Sequence, residues 1–411
     1  MNLAVLKSFG AARAHALWRL LPPALRREAL FTAMEFLAPK PVMAPPPAAC
    51  APITVAGFFR APSGLGEGAR RLADMLETAG AEVFRADLTG ALRQSPGGPP
   101  PVAPPGPGTL IMHVNGPMLP WGIRALGKAA IHDKRILAFW NWELPKLPRD
   151  WDRGYRFVHG ILASSHFVAA AIKRPEGPPV AVVHYPLPPP MPSSLSRADL
   201  GLPDQAFLFL SIFDAASSVE RKNPMAAIAA HRYAFGDRQD RVLVLKTYNT
   251  HMGGSAWRET LAAAAEAPNI RIIDREMTRA DIWGLLRLAD AFVSLHRSEG
   301  VGLSLCEAMS LGKPVIATGW SGNLDFMDHE SAMLVDWQPV PAMDERGTYS
   351  LAGAHWAEPD IAAAAEAFRA LAENPQLCAR LGMAAQNRAA GLTYATCGAQ
   401  ALAALGLGHG Q

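Results

Sequence analysis

The chain has 411 residues, half of them hydrophobic and 18% charged, which is too much for one small module and enough apolar surface for two cores. A formal net charge of +3 is too mild for a nucleic-acid binder, and no DNA- or RNA-binding signature accompanies it. Cys50, Cys306, Cys378 and Cys397 form no close pair, metal-ligand spacing or disulfide ladder, which favours a reducing cytoplasm and argues against structural zinc.

The first forty residues carry Lys7, Arg13, Arg19, Arg26, Arg27 and Lys40 against Glu28 and Glu35, interleaved with Leu17, Trp18, Leu30, Phe31 and Phe36. That pattern predicts one or two basic amphipathic helices broken at Pro22 and Pro23. Such helices lie on an anionic membrane surface or pack on a protein neighbour, and the pattern leaves both open. The location it allows is cytoplasmic, with peripheral contact on the inner face of the plasma membrane. No apolar run reaches about 18 residues, so no transmembrane helix is expected. Arginines interrupt every apolar stretch here and no clear cleavage site follows, which speaks against a secretory signal. A spacer, PKPVMAPPPAACAP (Pro39 to Pro52), completes an extension over residues 1–52.

The next half, residues 53–190, opens with a strand from Ile53 to Phe58, a Gly-rich loop (RAPSGLGEG, Arg60 to Gly68), a helix from Ala69 to Ala79 and a strand at Glu82 to Phe84. This is the start of a Rossmann-like α/β unit. Gly64, Gly66 and Gly68 are spaced by single residues and do not fit the dinucleotide fingerprint, so NAD is not indicated. After a low-complexity loop (Ser95 to Gly108) come strands at Thr109 to Gly116 and Arg135 to Trp140, the latter running into NWELP, and a strand-like run ending at Ser164 to Phe167. His113, Asn115, Asn141 and Glu143 therefore sit just beyond strand carboxyl ends, where ligands bind in open parallel sheets. Each is also readable as a satisfied polar residue in a loop, the commoner fate of such residues.

A Pro- and Ser-rich linker, Pro186 to Pro203, precedes a second α/β half over residues 191–390. Strands are expected at 207–213, 241–247, 270–273, 291–295 and 333–337, and helices at 223–232, 257–266, 279–289, 359–373 and 375–390; residues 391–411 form a tail. Strict alternation argues for a parallel sheet covered on both faces. Within ERKNP, Arg221 and Lys222 enter a helix near its N-terminus, where a cation is unfavourable unless an anion is also present. That points to phosphate, although a solvated basic pair is the commoner fate.

The densest signal is Ser298 to Asp325, SEGVGLSLCEAMSLGKPVIATGWSGNLD. Glu299 and Glu307 bracket a turn, Gly300, Val301 and Gly302, that runs through Leu303 into a helix ended by Gly312. Backbone N–H groups of such a turn approach an anion closely, and the helix adds its positive N-terminal dipole. A diphosphate in the turn, with one carboxylate on a sugar and the other on a ribose, accounts for both acids. Ordinary helix capping accounts for a lone Gly-x-Gly equally well.

EGVGLSLCEAMSLGKPVIAT followed by SGN resembles the donor-binding signature of retaining family 4 glycosyltransferases, with Glu299 and Glu307 as its glutamate pair. The resemblance extends in order over about residues 53 to 390 and is dense between about 207 and 337. It implies the GT-B architecture: two Rossmann-like domains facing an interdomain cleft, here preceded by the short basic helical extension. It also implies transfer of a hexose, mannose from GDP or glucose from UDP, to a glycan or lipid-linked saccharide in bacterial polysaccharide assembly. No cofactor or metal is implied, and the donor half has no Asp-x-Asp site. Lys222 matches the family's lysine for the leaving diphosphate. The usual arginine directly after the strand is replaced by Ser211 to Asp214, leaving Arg221 or Lys246 for its role. Arg297 is placed to pair with a phosphate or with Glu299. Gly64 and Gly66 would face the cleft, and Trp140 to Glu143 stand where many family members carry a histidine. The resembled enzymes often cross back at the chain end; Ala399 to Leu405 is short for that, which assigns the crossing to the preceding helix. Alternatives are a non-catalytic GT-B partner subunit that binds nucleotide sugar or glycan, and an epimerase or phosphorylase on the same fold.

Overall fold

A computed structural model of the protein describes residues 22–95 and 97–408. Lys7, Arg13 and Arg19 lie outside the described residues. Contacts divide the chain into two compact units, one made of 1–70, 82–139 and 149–160, the other of 71–81, 140–148 and 161–411.

The first unit contains helix α1 (Pro23–Leu37), strand β1 (Ile53–Gly57), the start of helix α2 (Gly64–Thr78), β2 (Val83–Asp87), β3 (Gly108–His113), helix α3 (Leu119–Leu126) and β4 (Lys134–Trp140). β1 pairs in parallel with β2 and β3, and β3 with β4. β1 and β3 are buried along their whole lengths, as a parallel sheet covered on both faces requires. Helix α2 starts five residues before its expected position, at Gly64 and not Ala69, so the Gly-rich segment is its first turn and not a loop. Ser63 caps that turn, its Oγ accepting the Gly66 N–H at 3.2 Å. A Cβ on Gly66 would stand 2.2 Å from the Ala61 carbonyl oxygen, so only glycine allows the chain to fold this tightly over the helix start.

Helix α1 is tied to protein. Arg153 pairs with Glu28 and with Glu35, the latter at 3.2 Å; Arg156 pairs with Glu35 at 2.6 Å and Arg27 with Asp150. Phe31 meets Trp121 edge-on with ring centroids 6.5 Å apart. Of the two partners left open by the sequence, the described part of this helix packs on protein, namely its own chain, while Leu25, Leu30, Phe36 and Leu37 stay exposed. Among the described residues no helix is long and apolar enough to cross one.

In the second unit, after segments 71–81 and 140–148, come β5 (Gly160–Ala163), helix α4 (His166–Ile172) and β6 (Val180–Val182). Then follow β7 (Phe207–Ile212), the single turn α5 (Val219–Lys222), α6 (Pro224–Phe235), β8 (Arg241–Thr247), α7 (Gly254–Ala265), β9 (Ile270–Asp274), α8 (Arg279–Leu288), β10 (Ala291–Ser294), α9 (Leu303–Ser310), β11 (Val315–Thr318) and β12 (Met333–Val335). The chain closes with β13 (Trp337–Pro341), β14 (His355–Pro359), α10 (Ile361–Glu373), α11 (Pro375–Ala389) and α12 (Tyr394–Leu405). There are two six-stranded sheets, ordered β2-β1-β3-β4-β5-β6 and β12-β11-β10-β7-β8-β9, and every described pairing within them is parallel.

Successive residues of β7 and β8 point to opposite faces, and each face has its own core. Phe209, Leu243 and Leu245 join Phe235 and Phe368 on one side; Leu208, Leu210, Val242 and Val244 join Trp283 and Phe292 on the other. In the second sheet the chain runs outward from β7 through β8 to β9, then returns to β10 on the other side of β7. The gap between the carboxyl ends of β7 and β10 is therefore the switch point where open α/β sheets take ligands.

Two further features differ from expectation. β13 and β14 form an antiparallel hairpin with Trp337 opposite Pro359; Pro339 and Pro341 hide it in the sequence, but an isolated two-stranded ribbon tolerates them. The last helix is twelve residues long, capped by Thr393, and packs on α2 so closely that a Cβ at Gly398 would lie 2.1 Å from the Met75 carbonyl oxygen. Contact with α2 is thus made by the final helix and not left to the one before it.

Candidate functional site

The turn after β10 and the turn after β7 meet at the switch point. Ser218 caps the single turn α5 through its Oγ, and α5 delivers Arg221 and Lys222 to Glu299. Lys222 Nζ lies 2.5 Å from Glu299 Oε1, and Arg221 Nη1 lies 3.3 Å from Oε2. Burial opposes the charge on Glu299, but Lys222 and then Arg221 outweigh it and hold the carboxyl at about 2. Glu299 is therefore an anion clasped by two cations. Arg221 is fully buried. Its guanidinium also donates to the carbonyls of Ser298 at 2.7 Å and Ser217 at 3.0 Å and lies 5.5 Å from the Tyr349 ring centroid. Burial disfavours its charge, but Tyr349, Glu299 and Glu143 raise its pKa above the ordinary range.

The backbone beyond Glu299 is shaped by glycine where it must be. Gly302 has φ +90° and caps α9 in the left-handed region. A Cβ on Gly322 would stand 2.0 Å from the Gly300 carbonyl oxygen, and the Gly322 N–H donates to the Glu299 carbonyl at 2.9 Å. The Glu299 N–H donates to Ser321 Oγ at 2.9 Å, and Ser165 Oγ donates to the Gly300 carbonyl at 2.6 Å. The turn is locked to the SGN segment from one side and to the residue before α4 from the other.

Glu307, at the start of the second turn of α9, is buried and receives two arginines on the same oxygen. Arg71 Nη2 is 2.7 Å and Arg279 Nη2 2.8 Å from Oε1. Arg71 is itself buried and also donates to the Pro186 carbonyl at 3.1 Å. Arg279, at the start of α8, keeps 42% of its side chain exposed.

The other expected site residues divide. Glu143 is brought into this region: its Oε2 accepts the Tyr349 hydroxyl at 3.1 Å and its carbonyl accepts Ser298 Oγ. Arg297 pairs with Glu358 at 2.5 Å, not with Glu299, because the β13–β14 hairpin places Glu358 beside it. Lys246 is buried and donates to the carbonyls of Thr247 at 2.8 Å and Arg275 at 2.5 Å, so among the described residues its bonds go to backbone at the strand end and not to either glutamate. Burial lowers its pKa to about 8. Asn141 exchanges hydrogen bonds with Tyr185. In the first unit, His113 is fully buried, stacks on Phe139 at 5.0 Å and is pushed down to about 4 by burial, which makes it a neutral core group. Asn115 precedes a short 3₁₀ turn, and Gly64 and Gly66 belong to the first turn of α2.

Sequence reasoning missed Arg71, Arg279 and Tyr349. Tyr349 lies in the connection of the unforeseen hairpin. Arg71 lies 236 positions from Glu307, and no local pattern marks it.

Residues 248–388 match the family model described as "Glycosyl transferases group 1", a span that includes the turn and both glutamates. No curated protein matches the chain. Among solved structures it is similar to sucrose-phosphate synthase from Thermosynechococcus elongatus, at 15% identity and TM-score 0.63 over 86% of this chain and 97% of that one. It is similar to Anabaena HepE in complex with UDP and glucose, at 14% identity and TM-score 0.61 over 86% and 99%. A glycosyltransferase from Rickettsia africae ESF-5 aligns at 14% identity and TM-score 0.58 over 86% and 97%. At this identity the likeness is one of fold, and that fold is the two-sheet GT-B type.

Proposed function

We propose that the protein is a retaining, metal-independent glycosyltransferase of family 4 type that moves a hexose from a nucleoside-diphosphate sugar to a glycan or lipid-linked saccharide hydroxyl. The observation that carries this reading is the clasp of Glu299 by Lys222 and Arg221 beside a glycine-shaped turn at the switch point. The group 1 match, which spans residues 248–388 and so takes in the turn and Glu299 but not Lys222 or Arg221, supports it. Solved neighbours described as bound to UDP-glucose, or to UDP and GlcNAc, make UDP-sugars the first donors to test.

In this mechanism the turn at Gly300 to Gly302 and the start of α9 receive the diphosphate, and Glu299 accepts hydrogen bonds from the sugar. The bond from the sugar's anomeric carbon to the phosphate oxygen breaks while the acceptor oxygen bonds to the same face. The acceptor's proton passes to the departing phosphate oxygen, so configuration is retained. Lys222 and Arg221 offset the charge that grows on the diphosphate, a stabilisation exerted mainly in the transition state. Glu307 takes the ribose through Oε2, or through Oε1 once the half-exposed Arg279 moves aside. Glu143, beside Tyr349, is the proposed acceptor-side group.

The occupied Oε1 of Glu307 favours a second reading, a GT-B protein that binds donor or glycan without transfer. Purified protein is screened by thermal shift and nucleoside-diphosphate release against UDP- and GDP-sugars, with and without EDTA, with lipid-linked acceptors supplied. A donor at a hundred times its Kd stabilises the fold by about 2.7 kcal/mol. Stabilisation with diphosphate release in EDTA is the expected result. Stabilisation without release selects the binding-only reading, and no response to any donor refutes both.

A further inference from the structure

Beside the donor turn, three side chains that the proposed transfer does not use converge on one point. Asp325, at the end of the 3₁₀ turn Gly322–Asp325, has Oδ2 3.0 Å from His166 Nδ1 and 3.0 Å from His184 Nε2. The same oxygen accepts the backbone N–H of His166 at 2.8 Å. His166 opens α4, and His184 follows β6 by two residues. The three ligand atoms lie within 4.8 Å of one another, and among the described residues this is the one group of three or more His, Cys, Asp or Glu so arranged.

As simple hydrogen bonding, the arrangement needs both imidazoles protonated on the facing nitrogens and three donors on one carboxylate oxygen. A divalent cation between them uses the same lone pairs and needs neither proton. Tetrahedral coordination at about 2.0–2.1 Å puts ligand atoms roughly 3.3–3.4 Å apart, so the 3.0 Å separations need open by only a few tenths of an ångström. Two imidazoles and one carboxylate suit zinc and similar borderline ions, whereas magnesium and calcium prefer oxygen alone. Exposure is graded as an open site requires: 8% of the Asp325 side chain, 24% of His184 and 76% of His166 are accessible, which leaves room for a water ligand. The His166 N–H on Asp325 holds the carboxylate in orientation.

We propose that His166, His184 and Asp325 form a binding site for a divalent cation of the zinc class. The ion would join α4, the segment after β6 and the SGN turn. Two of these hold the donor turn, through Ser165 Oγ on the Gly300 carbonyl and the Gly322 N–H on the Glu299 carbonyl. Its place is therefore structural or regulatory, and transfer still relies on Lys222 and Arg221 for charge.

The test reads metal and not activity, so it stands apart from the transferase reading. Full-length protein stripped with chelator is dialysed against zinc chloride, and bound zinc is counted by elemental analysis. One equivalent is expected, with roughly tenfold or greater weakening in His184→Ala and in His166→Ala, and loss in the double variant. Thermal melts of metal-free variants check that they fold; His166, being mostly exposed, is the variant least able to disturb folding. Cobalt substituted for zinc should give the visible spectrum of a four-coordinate site. Substoichiometric zinc, zinc uptake unchanged in His166→Ala, or equal competition by magnesium would each overturn the proposal.

Discussion

Replacing Glu299 with glutamine keeps the side chain's shape and removes its charge, which isolates the clasp. In the native protein Lys222 and Arg221 hold the carboxyl at about 2 against an ordinary 4.5, which by linkage corresponds to stabilisation on the order of 3 kcal/mol at neutral pH. Because the folded pKa lies below the unfolded one, that contribution is complete above about pH 4.5 and is lost as pH falls toward 2. Removal also leaves Arg221 buried beside a neutral group, with 3% of its side chain exposed. Breaking a buried pair in this way costs about 3–5 kcal/mol. Lys222→Met removes the partner with 20% of its side chain exposed and leaves Arg221 in place, so its cost is smaller, about 1–3 kcal/mol. Urea unfolding at pH 7 of both single variants and the double variant measures their coupling, expected at about 1–3 kcal/mol. The reasoning is refuted if Glu299→Gln is as stable as the native protein, or if the coupling is near zero. In a transfer assay Lys222→Met should lower kcat roughly a hundredfold or more, while Glu307→Ala acts chiefly on donor KM.

Three further outcomes are expected. Gly322→Ala drives a methyl into the Gly300 carbonyl and should cost about 1–3 kcal/mol with loss of donor affinity, read by denaturation and donor thermal shift; Gly64→Ala, which meets no atom within 4 Å, serves as the silent control. Burial holds His113 neutral to about pH 4, so the unfolded chain takes up its proton first, and stability should fall as pH drops from about 6.5 to 4. His231, held down to about 4 by burial as well, contributes over the same range, so His113→Phe should reduce that slope in pH-dependent melts, and an unchanged slope removes His113 as a source. Arg71→Met leaves Glu307 buried with only the half-exposed Arg279, and urea unfolding should show a loss of about 3–5 kcal/mol; a neutral result would mean that Arg279 suffices.

The parallel α/β halves were legible in the chain because buried parallel strands need near-continuous apolar runs, and Phe207 to Ile212 and Arg241 to Thr247 supply them. The glycine turn was legible as well, since Gly300, Gly302, Glu299 and Glu307 lie within nine residues and a tight turn is built from local backbone geometry. The reach of Lys222 to Glu299 spans 77 positions, yet both ends stood in recognisable loops after strands of one sheet. What failed locally was whatever depended on a partner elsewhere. His113 stands at the carboxyl end of a strand like a ligand-facing residue but packs into the core. Arg297 precedes the glutamate motif but pairs with Glu358 from a hairpin that two prolines concealed.

By itself, then, the sequence determined elements and turns, where the forces act within about ten residues: apolar periodicity, capping and glycine's access to positive φ. Tertiary structure alone decided which charges meet. Arg71 with Arg279 on Glu307, Tyr349 beneath Arg221, and His166 with His184 on Asp325 are contacts between segments tens to hundreds of residues apart. Their energy arises from desolvating paired groups, and a linear pattern carries no record of which groups leave water together.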